Sequence, residues 1–303
     1  MTKVNILIIG AGRIGLALYN QFQKAGHLPK VWDKDPARRK NAETFENLVK
    51  TAEVIFITAP SSANRTIAKE IKPFLFKKQI IISLAKGLEE ATGKNMSQVL
   101  KEEIGNKATY GFMAGPMLAH EIERFEQTVA EIALSNKKAW IKINEIFLGT
   151  CIKVNYNADL IGLTWCAVLK NIYAIGFGIS DELGHGTNIK SCLTLNIISE
   201  IQKLLKSFGG KKETFFSPAG LGDLLTTGWN SHSFNYNTGR EMAKDPRAEL
   251  ASEGSRSLKC LYAKLGSKMK NYPIMNGLKE MILSKKDHRA VFAHLLKNIS
   301  CKI

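Results

Sequence analysis

A lysine and an asparagine interrupt an otherwise apolar stretch of the chain. The stretch "LTWCAVLKNIYAIGFGI" runs from Leu163 to Ile179, and Lys170 and Asn171 lie at its centre. An unpaired ammonium is costly in a low-dielectric interior, so a buried lysine needs a partner. Burial also lowers the pKa of a lysine, which suits it to proton transfer. The pattern therefore indicates a structural ion pair or a catalytic proton donor, and we favour the second.

A candidate partner for Lys170 lies in a segment that has no other charge. In "SPAGLGDLLTTGWN", glycines bracket the carboxylate of Asp223. We predict a buried pair between Lys170 and Asp223, because perturbed pairs of this kind concentrate at functional sites.

A glycine-rich turn near the start of the chain predicts a phosphate-binding loop. The turn "GAGRIG" follows a strand-like apolar run and precedes a helical pattern. Its glycines let the backbone approach a pyrophosphate, which then lies at the helix N-terminus. An ordinary tight turn is the alternative, but the context favours a dinucleotide site. The residues that we expect to contact this cofactor are Gly10, Gly12, Arg13, Ile14 and Gly15.

Two further charged residues follow predicted strands. Asp33 ends the second strand, where a carboxylate binds ribose hydroxyls and repels a 2′-phosphate. This predicts NAD over NADP, although the nearby cations Lys34 and Arg13 soften the preference, and a solvated turn acid is the alternative. Lys86, in "SLAKGLEE", follows the fourth strand and so faces the ligand crevice of a parallel sheet, unless it is an ordinary surface lysine.

The elements that must position these residues change in type along the chain. Short apolar runs alternate with helical patterns up to residue 157, which predicts a mostly parallel, doubly wound sheet of the Rossmann type. One such helical pattern covers residues 61–76. No β-like run appears from residue 159 onwards, so we predict a dinucleotide-binding domain over residues 1–157 and an all-helical catalytic domain over 158–303. The predicted strands cover residues 4–10, 29–33, 52–60, 79–87, 108–116, 128–136 and 151–157.

Composition and charge are those of a soluble globular protein of 303 residues. The net charge of +16 is spread over both halves of the chain, so it attracts small anions without specifying nucleic acid. Lys170 and Asn171 in the middle of the longest apolar stretch argue against a membrane span. No signal peptide is expected, since Met1–Lys3 leads directly into a strand-like run.

Cysteine usage predicts a reduced, cytoplasmic compartment. The number of cysteines is odd and no Cys-x-x-Cys occurs, so we expect neither a zinc site nor a disulfide framework. The five are Cys151, Cys166, Cys192, Cys260 and Cys301.

The motifs together resemble the bacterial type of NAD(P)-dependent sn-glycerol-3-phosphate dehydrogenases over essentially the whole chain. Besides "GAGRIG", they include "AKGLE", "GPMLAHE", "LKNIYAIGFGISDELGHGTN", "FFSPAGLGDLLTT", "SEGSRSL" and "YPIMNGL". The resemblance implies that Lys170 is the catalytic proton donor and acceptor and that Asp223 is its partner. It implies substrate contacts at Lys86, Gly115, Asn171, Thr227, Ser233 and Asn235. It implies further cofactor contacts at Lys86, Ala119 and Glu253.

Two residues depart from the family pattern on the substrate side. Phe234 stands where the family has the arginine that binds the substrate phosphate, and Met117 stands where a serine is expected. Hydrogen bonds to charged groups contribute about 1.5–3 kcal/mol each. The loss of these hydrogen bonds should weaken the binding of a phosphorylated substrate unless another cation replaces the arginine. The candidates are Lys190, Arg240 and His232.

The resemblance implies interconversion of dihydroxyacetone phosphate and sn-glycerol 3-phosphate with a nicotinamide cofactor and without a metal, feeding glycerophospholipid synthesis. NAD is the expected cofactor, with NADP as the alternative. A dehydrogenase of the same mechanism on another substrate stays open, as does a weakly active dinucleotide-binding protein. The physiological direction and the oligomeric state stay open too, with a homodimer among the options.

Overall fold

The structure is a computed structural model, and it describes residues 3–245 and 251–298. The chain divides into two compact units. The first comprises Met1–Lys86 and Asn95–Thr164, and the second comprises Gly87–Lys94 and Trp165–Ile303. The second unit takes up the chain again at Trp165. The helix that contains this point starts near Asp159, whose side chain accepts a hydrogen bond from the amide of Gly162. The predicted boundary near residue 157 stays a prediction.

The first unit contains one seven-stranded sheet with the order β2-β1-β3-β4-β5-β6-β7. All neighbouring strands are parallel except β5 and β6, which are antiparallel, so the prediction of a mostly parallel sheet is confirmed. Each strand lies within one of the seven predicted runs or begins one residue outside it. The strands are β1 Asn5–Ile9, β2 Leu28–Trp32, β3 Val54–Ile57, β4 Ile80–Ser83, β5 Thr109–Ala114, β6 Thr128–Leu134 and β7 Ile152–Tyr156.

Helices cover both faces of this sheet. In β1, Ile6 and Ile8 belong to one apolar cluster, whereas Leu7 and Ile9 belong to another. Because successive side chains of a strand point to opposite faces, each face has its own core, and this explains the continuous apolar runs. The helices are α1 Arg13–Lys24, α2 Phe45–Thr51, α3 Asn64–Ile71, α4 Met96–Glu103, α5 Ala119–Glu123 and α6 Trp140–Phe147.

One predicted helix is shorter than the sequence suggested. The α-helical part of residues 61–76 is limited to α3, and 3₁₀ turns flank it over Ser61–Ala63 and Lys72–Phe74. Pro73 supplies the reason for the C-terminal end, since proline cannot donate a backbone hydrogen bond and disfavours the α conformation of the residue before it.

The described part of the second unit is helical and contains no strand, as predicted. Its centre is a long apolar helix, α7, in which residues 172–175 are fully buried. Gly178 of α7 and Gly239 of α10 let these helices touch, because a Cβ at either glycine would clash with backbone atoms of the other helix. The helices are α7 Leu160–Glu182, α8 Thr187–Ser207, α9 Asp223–Gly228, α10 Phe234–Lys244, α11 Glu253–Leu265, α12 Pro273–Ile282 and α13 His288–Asn298.

The helix α7 is long and apolar enough to cross a membrane by length and composition alone. Its most apolar window is 89% buried inside the protein, which is typical of the core helix of a soluble protein. The four cysteines in the described ranges are all free thiols, whereas Cys301 lies outside those ranges.

Candidate active site

The buried lysine predicted from the sequence has two partners. Lys170 is 5% exposed, and its Nζ donates to Oδ1 of Asp223 at 2.9 Å and to Oγ1 of Thr227 at 2.6 Å. Asp223 and Thr227 are four residues apart on α9, so both face the same side of that helix. The predicted pairing of Lys170 with Asp223 is therefore confirmed, and two neighbouring acceptors on one side of α9 hold the buried ammonium.

The glycines around Asp223 set the backbone path that delivers it. A π-helical turn, Pro218–Gly222, leads directly into α9, and the side chain of Ser217 accepts a hydrogen bond from the amide of Gly220. A Cβ at Gly220 would overlap the carbonyl oxygen of Phe215. The turn therefore places Asp223 at the first position of α9, where the helix dipole favours a negative charge.

Polar residues of three helices meet beside Lys170. Oδ1 of Asn235 accepts from the amide of Gly254 at 2.9 Å. A Cβ at Gly254 would overlap the carbonyl oxygen of Asn171, which adjoins Lys170 in the sequence. The helices α7, α10 and α11 thus bring Asn171, Asn235 and the first turn of α11 together.

The beginnings of α10 and α11 carry two more of the predicted site residues. Ser233 caps α10, and its side chain accepts from the amide of Tyr236 at 3.4 Å. Glu253 is the first residue of α11, after a capping box between Ser252 and Ser255. The sequence "SEGS" contained the signal for this capping box, which the sequence analysis missed. The box fixes the start of α11, and the amide of Gly254 in its first turn can therefore donate to Asn235.

Where the family's arginine is missing, the structure has an exposed ring. Phe234 is the first residue of α10 and is 69% exposed. Two of the cations considered as replacements are already engaged by carboxylates. Lys190 Nζ lies 2.8 Å from Asp181 Oδ1, and Arg240 Nη2 lies 3.0 Å from Glu182 Oε2.

Tyr236 also contacts Asp181, the carboxylate that engages Lys190. The hydroxyl of Tyr236 donates to Asp181. Burial, followed by the hydrogen bond to Asp181 and the charge of that carboxylate, raises the pKa of Tyr236 to about 12. Asp181 therefore lies between a neutral phenol and the ammonium of Lys190, and His232 remains as an exposed candidate.

The glycine loop of the first unit has the geometry that a dinucleotide site needs. Gly10 has φ of +115°, and a Cβ there would lie 2.8 Å from the amide nitrogen of Ala59. A Cβ at Gly15 would overlap the carbonyl oxygen of Gly10, whereas space beside Gly12 is open. Helix α1 begins at Arg13 without a side-chain cap, so its first amides can receive a pyrophosphate.

Several neighbours support this loop. Thr58 Oγ1 donates to the carbonyl oxygen of Gly10 at 2.7 Å, a contact for which the sequence provided no signal. Arg13 is exposed, and Ile14 packs against the apolar cluster below the sheet. The loop is therefore held by Thr58, which follows β3, and by the core, while Arg13 is exposed.

The carboxylate of Asp33 is bound to this loop. Its Oδ2 accepts from the amide of Ala11 at 2.7 Å, and its Oδ1 accepts from the amide of Asp35 at 3.0 Å. Partial burial raises the pKa of Asp33, but these two hydrogen bonds and the charges of Arg38 and Lys34 outweigh it and lower the pKa. Asp33 is therefore ionised at neutral pH.

The other predicted residues of the first unit lie beyond β4 and β5. The Nζ of Lys86 donates to the carbonyl oxygen of Gly115 at 3.1 Å, so two predicted substrate contacts touch. Gly115 has φ of +153°, and a Cβ there would lie 2.6 Å from the carbonyl oxygen of Val129. Met117 and Ala119 pack against the same apolar cluster as Ile14, and Ala119 begins α5.

Comparison with known proteins identifies relatives over nearly the whole chain. Residues 40–140 match the family model described as the N-terminus of NAD-dependent glycerol-3-phosphate dehydrogenase, and residues 159–293 match its C-terminus. A glycerol-3-phosphate dehydrogenase (NAD(P)+) of Clostridium tetani is 31% identical over 95% of this chain and 90% of its own length. One from Pseudomonas entomophila is 30% identical over 96% of this chain and 94% of its own length.

Solved structures agree in fold. The crystal structure of glycerol-3-phosphate dehydrogenase from Coxiella burnetii is 26% identical, covers 97% of this chain and 99% of its own, and has a TM-score of 0.86. The enzyme from Saccharomyces cerevisiae has the same fold, with a TM-score of 0.81 at 18% identity, over 97% of this chain and 99% of its own.

Proposed function

The chain belongs to the NAD-dependent glycerol-3-phosphate dehydrogenase family, and from that premise we propose that Lys170 and Asp223 form its catalytic pair. The enzyme interconverts dihydroxyacetone phosphate and sn-glycerol 3-phosphate with a nicotinamide cofactor. The observation that supports the pair is the doubly held ammonium of Lys170, which is 2.9 Å from Asp223 and 2.6 Å from Thr227. Glycerophospholipid synthesis is the pathway we assign to it.

In the direction of reduction, a nicotinamide cofactor held by the loop Gly10–Gly15 and Asp33 would supply the hydride for the ketone carbon. Lys170 donates a proton from its ammonium to the carbonyl oxygen and stabilises the negative charge that develops there. Asp223 and Thr227 orient the ammonium through the hydrogen bonds that they accept from it. In the direction of oxidation, the neutral amine of Lys170 accepts the hydroxyl proton of sn-glycerol 3-phosphate.

Besides the ammonium of Lys170, neutral groups hold the substrate in this proposal. Asn171 and Asn235 contact its hydroxyl and phosphate oxygens, and Ser233 and Thr227 add hydroxyl groups. The family resemblance also implies substrate contacts at Lys86 and Gly115. Because Phe234 has no donor, the phosphate depends on amide groups where the family has a guanidinium.

The cofactor is held by the first unit in this proposal, which is therefore the dinucleotide-binding domain, and the second unit is the catalytic domain. The contacts that we assign in the first unit are the loop Gly10–Gly15, Asp33, Lys86 and Ala119, and the family resemblance also implies a cofactor contact at Glu253. Free thiols and the metabolic function of the relatives support a cytoplasmic location. A homodimer stays a prediction.

Phe234 raised two alternatives, a dehydrogenase of another substrate and a weakly active dinucleotide-binding protein. The family relationship favours neither of them. Steady-state oxidation of NADH with dihydroxyacetone phosphate and a panel of unphosphorylated ketones tests the assignment. We expect turnover with dihydroxyacetone phosphate to be far faster than turnover with any of the unphosphorylated ketones. A preference for an unphosphorylated ketone would refute the substrate, and cofactor binding without any turnover would refute the catalytic pair.

A further inference from the structure

A partly buried carboxylate at the end of α7 has a partner on each of its oxygens. Asp181 lies in the last turn of α7, and its side chain is 24% exposed. The hydroxyl of Tyr236 donates to its Oδ2, and Nζ of Lys190 lies 2.8 Å from its Oδ1. In the proposed reaction this carboxylate touches neither substrate nor cofactor. Its partners belong to α10 and α8, so one side chain joins three helices of the second unit.

Tyr236 links Asp181 to the end of α10 that we assign to the substrate. It lies in the first turn of α10, directly after Asn235, and is 6% exposed. A Cβ at Gly178 would lie 1.9 Å from its carbonyl oxygen, so the backbones of α7 and α10 touch at this point. Burial and the hydrogen bond to Asp181 raise the pKa of Tyr236 to about 12. The phenol therefore keeps its proton at neutral pH and holds the first turn of α10 against the end of α7.

Lys190 links Asp181 to the end of α9. Its Nζ lies 5.9 Å from the ring centroid of Trp229, within the range of a cation–π contact. Trp229 is the residue at which α9 ends. This short helix supplies both acceptors of the Lys170 ammonium, so a shift of its end would displace them. The ammonium of Lys190 therefore connects the carboxylate of α7 to the helix that holds the proton donor.

The next carboxylate along the chain, Glu182, provides a contrast. Its Oε2 lies 3.0 Å from Nη2 of Arg240, so this pair also joins α7 to α10. The side chain of Arg240 is 41% exposed and lies one helical turn beyond Tyr236. Within residues 3–245 and 251–298, no ion pair or hydrogen bond joins the side chain of Glu182 to α8 or α9. Exposed ion pairs of this kind contribute little to stability, so Glu182 can serve as a control.

We propose that Asp181 is a positioning residue that holds α9 and α10 in the places that substrate binding and proton transfer require. Its tyrosine partner sets the position of Asn235, and its lysine partner sets the end of α9 through Trp229. This rests on the proposed function, which assigns substrate binding to Asn235 and proton transfer to Lys170. Loss of the tyrosine contact should therefore weaken substrate binding, whereas loss of the lysine contact should slow turnover.

Tyr236→Phe tests the contact with α10, because it removes only the hydroxyl. It should raise the KM for dihydroxyacetone phosphate by about three- to tenfold and leave kcat within about threefold. Calorimetric titration with sn-glycerol 3-phosphate in the presence of NADH should show the same loss of affinity without turnover, and binding of NADH alone should not change. Asp181→Ala should raise KM at least as much. Addition of Tyr236→Phe to that variant should change KM by less than about twofold, because the phenol then has no carboxylate through which to act.

Lys190→Met tests the contact with α9, because it keeps an unbranched side chain but removes the charge. It should lower kcat by about three- to tenfold and leave KM within about threefold, since small displacements of catalytic groups are costly. A raised KM with unchanged kcat would overturn this positioning role and indicate that Lys190 binds the substrate phosphate directly. Glu182→Gln is the matched control and should change neither constant by more than about twofold.

Two results would overturn the role of Asp181. Unchanged KM and unchanged sn-glycerol 3-phosphate affinity in both Tyr236→Phe and Asp181→Ala would make its contacts purely structural. Equal kinetic effects of Glu182→Gln and Asp181→Ala would show that any link between α7 and α10 is sufficient. Failure of the proposed function gives a different result, in which wild type binds sn-glycerol 3-phosphate but does not turn over dihydroxyacetone phosphate. The titrations with sn-glycerol 3-phosphate would then still decide whether Asp181 positions α10.

Discussion

Two buried carboxylates of the second unit have opposite surroundings. Asp223 is 2% exposed and faces the ammonium of Lys170. Glu200 of α8 is 4% exposed, and its partners are all uncharged. It accepts hydrogen bonds from the hydroxyl of Tyr173 at 2.8 Å and from the amides of Ile274 and Met275 at 2.6 and 3.1 Å.

The surroundings determine what each carboxylate can do. Burial raises the pKa of Glu200, and the hydrogen bonds from Ile274, Tyr173 and Met275 oppose that rise. Burial and the charge of Glu200 raise the pKa of Tyr173 well above its ordinary value, so its proton stays in place. Glu200 caps α12 and joins it to α7, which is a structural function.

Lys170 and Tyr173 are only three residues apart on α7, so one helix serves both carboxylates. The difference is that Asp223 faces an ammonium with a proton that can be transferred to a substrate, whereas Glu200 accepts from uncharged groups that keep their protons. Burial of an ionisable group by itself thus does not identify a catalytic residue, and the charge and proton affinity of its partner must be considered.

Removal of the Lys170 ammonium should have the largest effect on turnover. Lys170→Ala should lower kcat by about 10²–10⁴-fold, because the proton donor is lost. Calorimetric binding of NADH should change little, since the glycine loop is in the other unit. The variant leaves Asp223 buried without its cation, so the unfolding free energy should also fall, by about 3–5 kcal/mol.

Tyr173→Phe is the matched control on the same helix, and it should retain kcat within about threefold. Turnover by Lys170→Ala near the wild-type level would contradict the role of Lys170 as proton donor. Restored turnover on addition of a primary amine would support that role.

The two carboxylates can be compared directly by amide substitution. Asp223→Asn should lower kcat by about ten- to a hundredfold, because the ammonium of Lys170 then donates to a neutral amide instead of a carboxylate. Glu200→Gln should leave kcat within about threefold but lower the unfolding free energy by about 1–3 kcal/mol, because one acceptor becomes a donor facing backbone amides. Urea unfolding and steady-state kinetics on both variants measure the contrast, and similar kcat values for the two would contradict it.

Phe234, the exposed first residue of α10, should affect substrate binding and not the chemical step. Phe234→Arg introduces the guanidinium that the family has at this position, so the KM for dihydroxyacetone phosphate should fall by about tenfold. The effect on kcat should be smaller, because the phosphate does not react and contributes mainly uniform binding. Phe234→Gln serves as the control without charge and should leave KM near that of wild type. An unchanged KM in Phe234→Arg would place the ring outside the substrate site.

The smallest effect should be a pH dependence of stability caused by Glu200. Its pKa is raised in the folded state, so its contribution is fully present below the ordinary value of 4.5 and is lost as pH rises through the folded pKa. The unfolding free energy of wild type relative to Glu200→Gln should therefore decrease as pH rises above about 4.5. Urea titrations between pH 4 and 8 measure this, and a constant difference across that range would show that the pKa is not raised.

Much of the fold was predictable because burial leaves local patterns. The inner strands β1, β3 and β4 appear as short apolar runs, since strands covered on both faces need apolar side chains throughout. The glycine loop was predictable because only glycine fits its close backbone contacts. Lys170 and Asp223 were detectable because each is a charge in an otherwise apolar or uncharged segment.

Other features depended on contacts that no local pattern records. Glu200 looks like an ordinary acid of a helix, and only its contact with the start of α12 shows its function. Lys190 and Arg240 were candidate phosphate ligands until the fold placed them beside Asp181 and Glu182.

The sequence by itself thus determined the order and type of the elements, the nucleotide loop and the identity of the buried pair. Periodicity and steric need are properties of neighbouring residues, so the sequence displays them directly. Only the tertiary structure decided which charges neutralise one another, because residues far apart in the chain meet through helix and sheet packing. That choice of partners separates the catalytic carboxylate proposed here from the structural one.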